Sequence, residues 1–296
     1  MNFVATLISG PDTKVMTDAL LQHVQQKMGN VQASRWLAHG IAADILFASD
    51  ASAEVENDIR RALDEAPVDV IVQEAATRRK KLFLADMDST MIGQECIDEL
   101  ADYVGLKEKV AGITERAMRG EIAFEPALRE RVGLLKGLPV SVVDEIVAKR
   151  LTLTPGGSAL VRTMRANGGY TCLVSGGFTL FTSRIAAIIG FNEHRSNELI
   201  VDGDVLNGTV TEPILGKEAK LASLIELRSK LDLAHHETIA VGDGANDLAM
   251  LEEAGIGIAF RAKPAVAAAA HARVEHSDLT ALLYCQGYRA EDIRHS

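Results

Sequence analysis

The sequence lacks the features that would place the protein in a membrane or on a nucleic acid. No window reaches the roughly 18 consecutive apolar residues of a membrane-spanning helix, and the N-terminus, MNFVATLISGPD, has no basic segment followed by a long apolar run. The 31 Lys and Arg residues form no block of five or six, and the formal net charge is -10. We therefore expect a cytoplasmic protein that binds neither membranes nor nucleic acids.

Paired cysteines are missing as well. The three cysteines, Cys96, Cys172 and Cys285, are far apart and form no CxxC pattern, which is typical of reduced thiols, so we assign no chemistry to them. Hydrophobic residues make up 47% and charged residues 24%, which is the composition of a soluble globular protein. A length of 296 residues then predicts one large domain or two unequal ones.

Residues 1–77 have the pattern of a small separate domain. Strand-like and helix-like segments follow one another in the order βαββαβ, which is the ferredoxin-like arrangement and resembles the ACT-type small regulatory domains. The segments are FVATLIS, KVMTDALLQHVQQKM, RWLAHG, ADILFAS, SAEVENDIRRALDEA and VDVIVQEA. The polar stretch ATRRKK follows, and we expect it to separate this domain from the next strand.

Residues 78–296 have a different pattern. Short apolar runs, each ending in a small or polar cluster, alternate with helical stretches, which predicts an α/β fold with a Rossmann-like parallel sheet. The runs are LFLADMDST, GYTCLVSGG, TIAVGDGAND and GIGIAF. About four helical pieces occupy residues 94–153, far more than one crossover helix needs, so we expect a helical cap over the strand ends. Ligands of such sheets bind at the carboxyl ends of the strands, where the polar clusters lie.

The first cluster places two aspartates, Asp86 and Asp88, directly after an apolar run. If the chain stays extended, side chains two residues apart point the same way, and two charges about 4 Å apart repel by roughly 4 kcal/mol at an effective dielectric constant near 20. The pattern fits an exposed turn, one protonated carboxyl, a metal site, or a nucleophile paired with an acid.

Three further clusters fall at the same edge of the predicted sheet or close to it. Asp243 lies in VGDGANDLAML, where the alternative is a tight turn with Asn246 or Asp247 as a helix N-cap. VSGGF predicts a turn through Gly176 and Gly177 into a helix, whose free N–H groups and the Ser175 hydroxyl suit an anion. Lys220 lies in GKEAKLASL, and alone it would be a solvated lysine.

Together the clusters predict phosphoryl transfer. Three carboxylates at one edge require a cation, and hard oxygen ligands favour Mg²⁺. A hydroxyl, backbone amides and a lysine supply the donors that a transferring phosphoryl group needs. An aspartate beside them can form an aspartyl-phosphate.

The same residues resemble the signature of the haloacid-dehalogenase-like superfamily of phosphotransferases. That signature is DxDx[TV], then a Ser or Thr after the second strand, then a Lys, then a GDxxxD-type acidic motif, and all four occur in order within about residues 81–296. P-type ATPases share DMDST and GDGAND, but the absence of a spanning run excludes them. Within the superfamily, IGQECIDELA, ITERAMRGEIAFEPALRERVGLLKGLP and SGGFTLFT are similar to segments of enzymes that hydrolyse O-phospho-L-serine in the last step of L-serine biosynthesis.

The resemblance implies a role for each motif residue. Asp86 would be the nucleophile and Asp88 the general acid and base, while Asp86, the Asp88 backbone carbonyl and Asp243 would hold Mg²⁺. The implied phosphate ligands and their supports are Ser175, Gly176, Lys220 and Asn246, with Thr90, Gly177, Gly244 and Asp247 beside them.

The resemblance extends to the cap. Glu95 and Arg131 match residues that bind the ammonium and carboxylate of the substrate, and Met118 and Phe124 match apolar cap contacts. This fits the chemistry of a zwitterionic phosphate ester, because Arg can bind a carboxylate in a bidentate manner. By helical pattern alone, Glu95 and Arg131 would be ordinary surface charges.

Two alternatives and one question stay open. The substrate could be another small phosphomonoester, such as phosphohomoserine or phosphothreonine. The protein could instead be an amino-acid sensor with a vestigial phosphatase domain, which the intact motif aspartates and Lys220 disfavour. Residues 1–77 could bind a free amino acid such as serine or assist formation of a homodimer.

Overall fold

The computed structural model describes residues 1–50, 52–118 and 121–295, without the side chains of Ser52 and Met118. Within these residues the strands are β1 (Asn2–Ser9), β2 (Val31–Ala38), β3 (Ala42–Ala48), β4 (Val68–Glu74), β5 (Leu82–Ala85), β6 (Tyr170–Phe178), β7 (Glu193–Asn197), β8 (Leu199–Asp202), β9 (Val205–Val210), β10 (Thr238–Gly242), β11 (Ile256–Phe260) and β12 (Ala272–Val274). The helices are α1 (Asp18–Met28), α2 (Ser52–Leu63), α3 (Cys96–Tyr103), α4 (Lys107–Met118), α5 (Phe124–Gly133), α6 (Ser141–Lys149), α7 (Gly157–Ala166), α8 (Thr179–Ile189), α9 (Lys217–Lys230), α10 (Leu248–Glu253), α11 (Pro264–Ala269) and α12 (Ala281–Tyr284). None of these helices is both long enough and apolar enough to cross a bilayer.

The N-terminal part is an antiparallel four-stranded sheet in the order β2-β3-β1-β4, with α1 and α2 packed against each other beside it. The predicted βαββαβ order is present. The first helix begins at Asp18 and not at Lys14, because the Thr17 side chain accepts a hydrogen bond from the Leu20 N–H at 3.1 Å and caps the helix there.

The second sheet has six parallel strands in the order β12-β11-β10-β5-β6-β7. The four residues of β5 and the five of β10 are all buried, as expected for strands covered on both faces. The predicted fold class, a Rossmann-like parallel sheet with a helical insertion and a preceding small α+β unit, is confirmed. The strands β10, β5 and β6 are neighbours, so the polar clusters that follow them meet at one edge.

Helices α3 to α6 form the cap between β5 and α7. The chain enters and leaves the cap side by side, because the Gly93 N–H donates to the Thr152 carbonyl at 3.0 Å. A hairpin of β8 and β9 supports the cap from the other side, where the Gly137 N–H donates to the Leu206 carbonyl at 2.7 Å. The sequence patterns did not indicate this hairpin, which connects the cap to the segment after β7.

The N-terminal part is fixed to the rest of the chain by buried polar side chains. Asp44 is fully buried and accepts from both terminal nitrogens of Arg78, at 2.7 and 2.9 Å. Arg78 also donates to the backbone carbonyls of Tyr284 and Cys285 near the C-terminus. The stretch ATRRKK, expected to separate the two parts, therefore places Arg78 in their interface, and Lys80 is buried as well.

Candidate active site

The motif residues lie together at the carboxyl ends of β5, β6 and β10. Strand β5 ends at Ala85, and the Asp86 N–H donates to the Val241 carbonyl at 3.0 Å, which fixes the start of the first motif against β10. The chain turns at Asp88, so the two aspartates do not continue an extended strand, contrary to the assumption behind their predicted repulsion.

A buried lysine joins two of the motif carboxylates. The Lys220 ammonium lies 2.6 Å from a carboxylate oxygen of Asp86 and 2.6 Å from one of Asp247, and its side chain is only 2% exposed. Burial alone would lower the pKa of Lys220, but the attraction of the two carboxylates outweighs burial and raises it. Burial, together with the charge of Asp247, raises the pKa of Asp86 well above its usual range. One lysine therefore does not offset the negative charge of this cluster.

Asp247 holds the second motif loop. It precedes α10 without capping it, and its other carboxylate oxygen accepts from the backbone N–H groups of Asp243 and Gly244, at 3.2 and 3.0 Å. A Cβ atom on Gly242 would lie 2.3 Å from the Asp247 side chain, so glycine at that position lets the carboxylate turn back over the strand end. Asp247 therefore occupies the N-cap position that the alternative interpretation gave it, but its side chain makes no capping hydrogen bond and holds the motif loop instead.

Three carboxylates form a group that can hold a divalent cation. Oxygens of Asp86, Asp243 and Asp247 all lie within 4.8 Å of one another. Burial and the charge of Asp247 raise the pKa of Asp243 to about 6, although the Thr90 hydroxyl donates to this carboxylate at 3.0 Å. The donor set fits a hard cation such as Mg²⁺, because it consists of carboxylate oxygens whose charge exceeds that of Lys220. Asp247 belongs to this group of carboxylates, whereas the predicted ligand set consisted of Asp86, Asp243 and the Asp88 carbonyl.

Asp88 has different surroundings from Asp86. Its carboxylate is outside the group of three, and one of its oxygens accepts from the Cys96 N–H at the start of α3, at 3.3 Å. Burial, followed by the charge of Glu95, raises the pKa of Asp88 to about 7. A Cβ atom on Gly177 would lie 3.1 Å from the other Asp88 oxygen, so this glycine makes room for it. Asp88 is therefore placed to carry a proton near neutral pH, while Asp86 is paired with Lys220.

The predicted anion site differs in detail from the structure. Strand β6 continues through Gly176 and Gly177 to Phe178, and α8 follows at once, so the predicted turn is absent. The Gly177 N–H is not free, since it donates to the Ser175 hydroxyl at 2.9 Å. That bond uses a lone pair of Ser175 and leaves its hydroxyl hydrogen to donate towards the cavity.

A cavity of about 520 Å³ lies between the sheet edge and the cap. Most of the predicted site residues line it, namely Asp86, Asp88, Glu95, Phe124, Arg131, Ser175, Gly176, Gly177, Asp243, Gly244 and Asn246. Lys220, Asp247 and Thr90 are buried and contact the lining aspartates. Met118 ends helix α4, but its side chain is outside the described residues, so its predicted apolar contact stays a prediction.

The predicted set of site residues left out eight residues that line the cavity, namely Ser89, Ile97, Asp98, Thr114, Leu128, Phe178, Ala245 and Lys263. Asp98, Thr114 and Leu128 belong to cap helices, where polar and apolar residues alternate without a sign of which ones face the cavity. Lys263 follows β11 at the same sheet edge as the aspartates. Its position after the run GIGIAF was a usable signal, because that run ends where the other polar clusters end.

Arg131 is held at the cap wall of this cavity. Its Nε donates to the Ala127 carbonyl at 3.2 Å and one Nη donates to the Thr114 hydroxyl at 3.3 Å. Glu95 lies at the start of α3, where it accepts from the Ser89 hydroxyl at 2.7 Å. An anion-binding and a cation-binding side chain therefore line the same cavity as the aspartate pair.

Comparison with known proteins assigns the family. A model of the haloacid dehalogenase-like hydrolases matches residues 83–252. A phosphoserine phosphatase of Archaeoglobus fulgidus is 41% identical over 233 residues, which are 78% of this chain and 67% of that protein. The unliganded structure of a probable phosphoserine phosphatase from Vibrio cholerae has a TM-score of 0.78 at 30% identity and covers 98% of this chain and 88% of its own. A phospho-aspartyl intermediate analogue of phosphoserine phosphatase has a TM-score of 0.64 at 39% identity, covering 70% of this chain and 98% of its own. This chain therefore belongs to the haloacid dehalogenase-like hydrolase family.

Proposed function

We propose that this protein hydrolyses O-phospho-L-serine to L-serine and inorganic phosphate, the last step of L-serine biosynthesis. The observation that carries the proposal is the placement of Asp86, paired with Lys220, and the separate Asp88 in one cavity with Glu95 and Arg131. The relatives named phosphoserine phosphatase support the choice of substrate. A related phosphatase activity on phosphothreonine or phosphohomoserine is the second candidate, because these esters carry the same three charged groups.

The reaction proceeds in two steps on the aspartates. A carboxylate oxygen of Asp86 attacks phosphorus, the bond from phosphorus to the serine oxygen breaks, and Asp88 donates its proton to that oxygen. Water then attacks the phosphorus of the aspartyl-phosphate, Asp88 takes a proton from this water, and phosphate leaves Asp86. Both carboxyl groups return to their starting states, so the cycle balances.

The surrounding residues hold the phosphoryl group. Lys220 uses two of its three N–H donors on Asp86 and Asp247, which leaves one for a phosphate oxygen. The Ser175 hydroxyl, the Gly176 backbone and Asn246 supply further contacts from the cavity wall. Mg²⁺, held by Asp86, Asp243 and the Asp88 carbonyl with Asp247 beside them, would offset the excess negative charge next to the phosphate.

The cap residues distinguish the amino acid from other phosphate esters. Arg131 would bind the substrate carboxylate, Glu95 its ammonium, and Phe124, whose side chain is 42% exposed, would cover the substrate. The apolar contact predicted for Met118 remains a proposal. For residues 1–77 two roles remain as proposals, binding of a free amino acid and formation of a homodimer. We also propose that the protein acts in the cytoplasm.

The test is hydrolysis of a substrate panel by the wild type and by the Asp86→Asn variant. The panel contains phosphoserine, phosphothreonine, phosphohomoserine and p-nitrophenyl phosphate, each with Mg²⁺ and with a chelator. We expect phosphoserine to have the highest kcat/KM, chelation to abolish turnover, and Asp86→Asn to fold normally but lose at least about 1000-fold in kcat, about 4 kcal/mol of barrier. Near-normal turnover by Asp86→Asn would falsify the covalent mechanism, and preference for another ester would select the second candidate.

A further inference from the structure

One side chain of the cap contacts Arg131 without belonging to any motif of the phosphatase signature. Thr114 lies on α4 and Arg131 on α5, and both line the cavity. The bond from Arg131 Nη1 to the Thr114 hydroxyl oxygen, at 3.3 Å, joins the two helices directly at the proposed carboxylate site.

The Thr114 hydroxyl has a fixed orientation. It donates its hydrogen to the Val110 carbonyl one turn earlier, at 3.1 Å, a bond that threonine commonly forms inside helices. Since a hydroxyl has a single hydrogen, the oxygen can only accept from Arg131. The contact therefore has a defined direction and is not one of several equivalent arrangements.

The two contacts of Arg131 leave one side of its guanidinium group available. A guanidinium group has five N–H donors, and the bonds to Ala127 and Thr114 use one on Nε and one on Nη1. Among the described residues, no hydrogen bond or ion pair uses Nη2. Nη1 keeps one donor and Nη2 keeps two, and guanidinium donors can bind both oxygens of a carboxylate.

We propose that Thr114 is a positioning residue that sets the specificity for a carboxylate-bearing substrate. It holds the Arg131 guanidinium group so that its free N–H donors face the cavity, and it does so without touching the substrate. This inference rests on the proposed function, in which Arg131 binds the carboxylate. An Arg131 without this support would lose rotamer freedom each time it bound the substrate, which weakens binding.

The experiment compares phosphoserine with O-phosphoethanolamine, which has the phosphate and the ammonium but no carboxylate. Thr114→Val keeps the shape of the side chain and removes the hydroxyl. We expect the ratio of kcat/KM for phosphoserine to that for O-phosphoethanolamine to fall about fivefold, equivalent to about 1 kcal/mol, through KM and not through kcat. Because the ratio is measured in one preparation, it does not depend on the fraction of folded enzyme.

Three controls sharpen the experiment. Thr114→Ser keeps a hydroxyl and should restore the ratio, and Thr154→Val, a threonine outside the cavity lining, should leave it unchanged. In an Arg131→Ala background, Thr114→Val should have no further effect on the ratio.

The outcomes separate the inference from the proposed function. A wild type that does not hydrolyse phosphoserine overturns the function. If Arg131→Ala lowers the ratio but Thr114→Val does not, the function stands and the positioning role of Thr114 is refuted. An equal loss on both substrates in Thr114→Val, or an additive loss in the double variant, refutes it as well.

Discussion

Asp69 gives the sharpest prediction about how the N-terminal part is held. This carboxylate on β4 is 2% exposed, and it accepts from the backbone N–H groups of Glu275 and Ser277, each at 2.8 Å, and of His276, at 3.1 and 3.3 Å. These three residues follow β12, so the Asp69 side chain of the four-stranded sheet binds the backbone directly after the last strand of the six-stranded sheet. Asp69→Ala leaves three backbone donors in or near the interface without their acceptor.

The expected loss follows from those donors. Each buried N–H group that loses its acceptor lowers the free energy of unfolding by about 1 to 3 kcal/mol. Water can reach part of these three adjacent groups, so each loss should lie near the low end of that range. We therefore expect Asp69→Ala to lower the free energy of unfolding by about 3 to 4 kcal/mol in total. With a urea m-value of about 3 kcal/mol/M, the unfolding midpoint falls by about 1 M. Asp69→Asn keeps one acceptor oxygen and should lie between the wild type and Asp69→Ala.

The assay is equilibrium unfolding in urea, followed by circular dichroism. Asp12→Ala, an exposed aspartate in the same part of the chain, is the matched control and should change stability by less than about 0.5 kcal/mol. If Asp69→Ala and Asp12→Ala unfolded at the same urea concentration, the carboxylate would not be what holds the two parts together.

Two more predictions concern the buried group of Asp86, Asp247 and Lys220. Lys220→Met leaves Asp86 and Asp247 buried without the lysine ammonium that pairs with both of them. We expect the free energy of unfolding, measured in urea, to fall by about 3 to 5 kcal/mol and phosphatase activity to be lost. A stable and active Lys220→Met variant would contradict this argument. Gly242→Ala places a Cβ atom 2.3 Å from the Asp247 side chain and should displace it from Lys220, lowering kcat at least about tenfold, about 1.4 kcal/mol of barrier. Gly112→Ala, where a Cβ atom meets nothing within 4 Å, is its control, and equal activity of the two variants would refute the role of Gly242.

The sheet edge was predictable because its signals are local. The apolar runs of β5, β10 and β11 end where those strands end, and parallel strands bring their ends together beside Ser175 of β6, so the meeting of Asp86, Ser175 and Asp243 followed from the pattern. What the pattern could not give was the detail of each turn. It placed a turn at Gly176 and Gly177 because glycine pairs usually break strands, whereas here the strand continues to Phe178 and Gly177 makes room for Asp88.

The sequence predicted the helices of the cap but not which side of each helix faces the cavity. A helical period identifies α3 to α6, yet the side that faces the cavity depends on packing against the sheet edge and on the hairpin of β8 and β9. Glu95 and Arg131 were therefore identified through a family resemblance, while Asp98 on α3 and Thr114 on α4 were not. The contact of Thr114 with Arg131 becomes visible only when α4 and α5 are placed side by side.

The sequence of β1 indicates that both faces of the N-terminal sheet are buried, unlike those of an antiparallel sheet with one solvated face. In β1, Ala5 and Leu7 pack on the side of α1 and α2, while Thr6 and Ile8 point the other way and are equally buried. Sheets with one solvated face alternate apolar and polar residues, and FVATLIS does not.

Because both faces of this sheet are covered, a ligand or partner of residues 1–77 has few places to bind. One face packs on α1 and α2, and the other on the segment around β12 and α12, where Asp69 and Arg78 make their buried bonds. Strand β2 is an edge of the sheet, and four of its residues, 32–35, are exposed. An amino acid or a second copy of the chain would therefore reach this part through β2 or the outer sides of α1 and α2, not through the second face of the sheet.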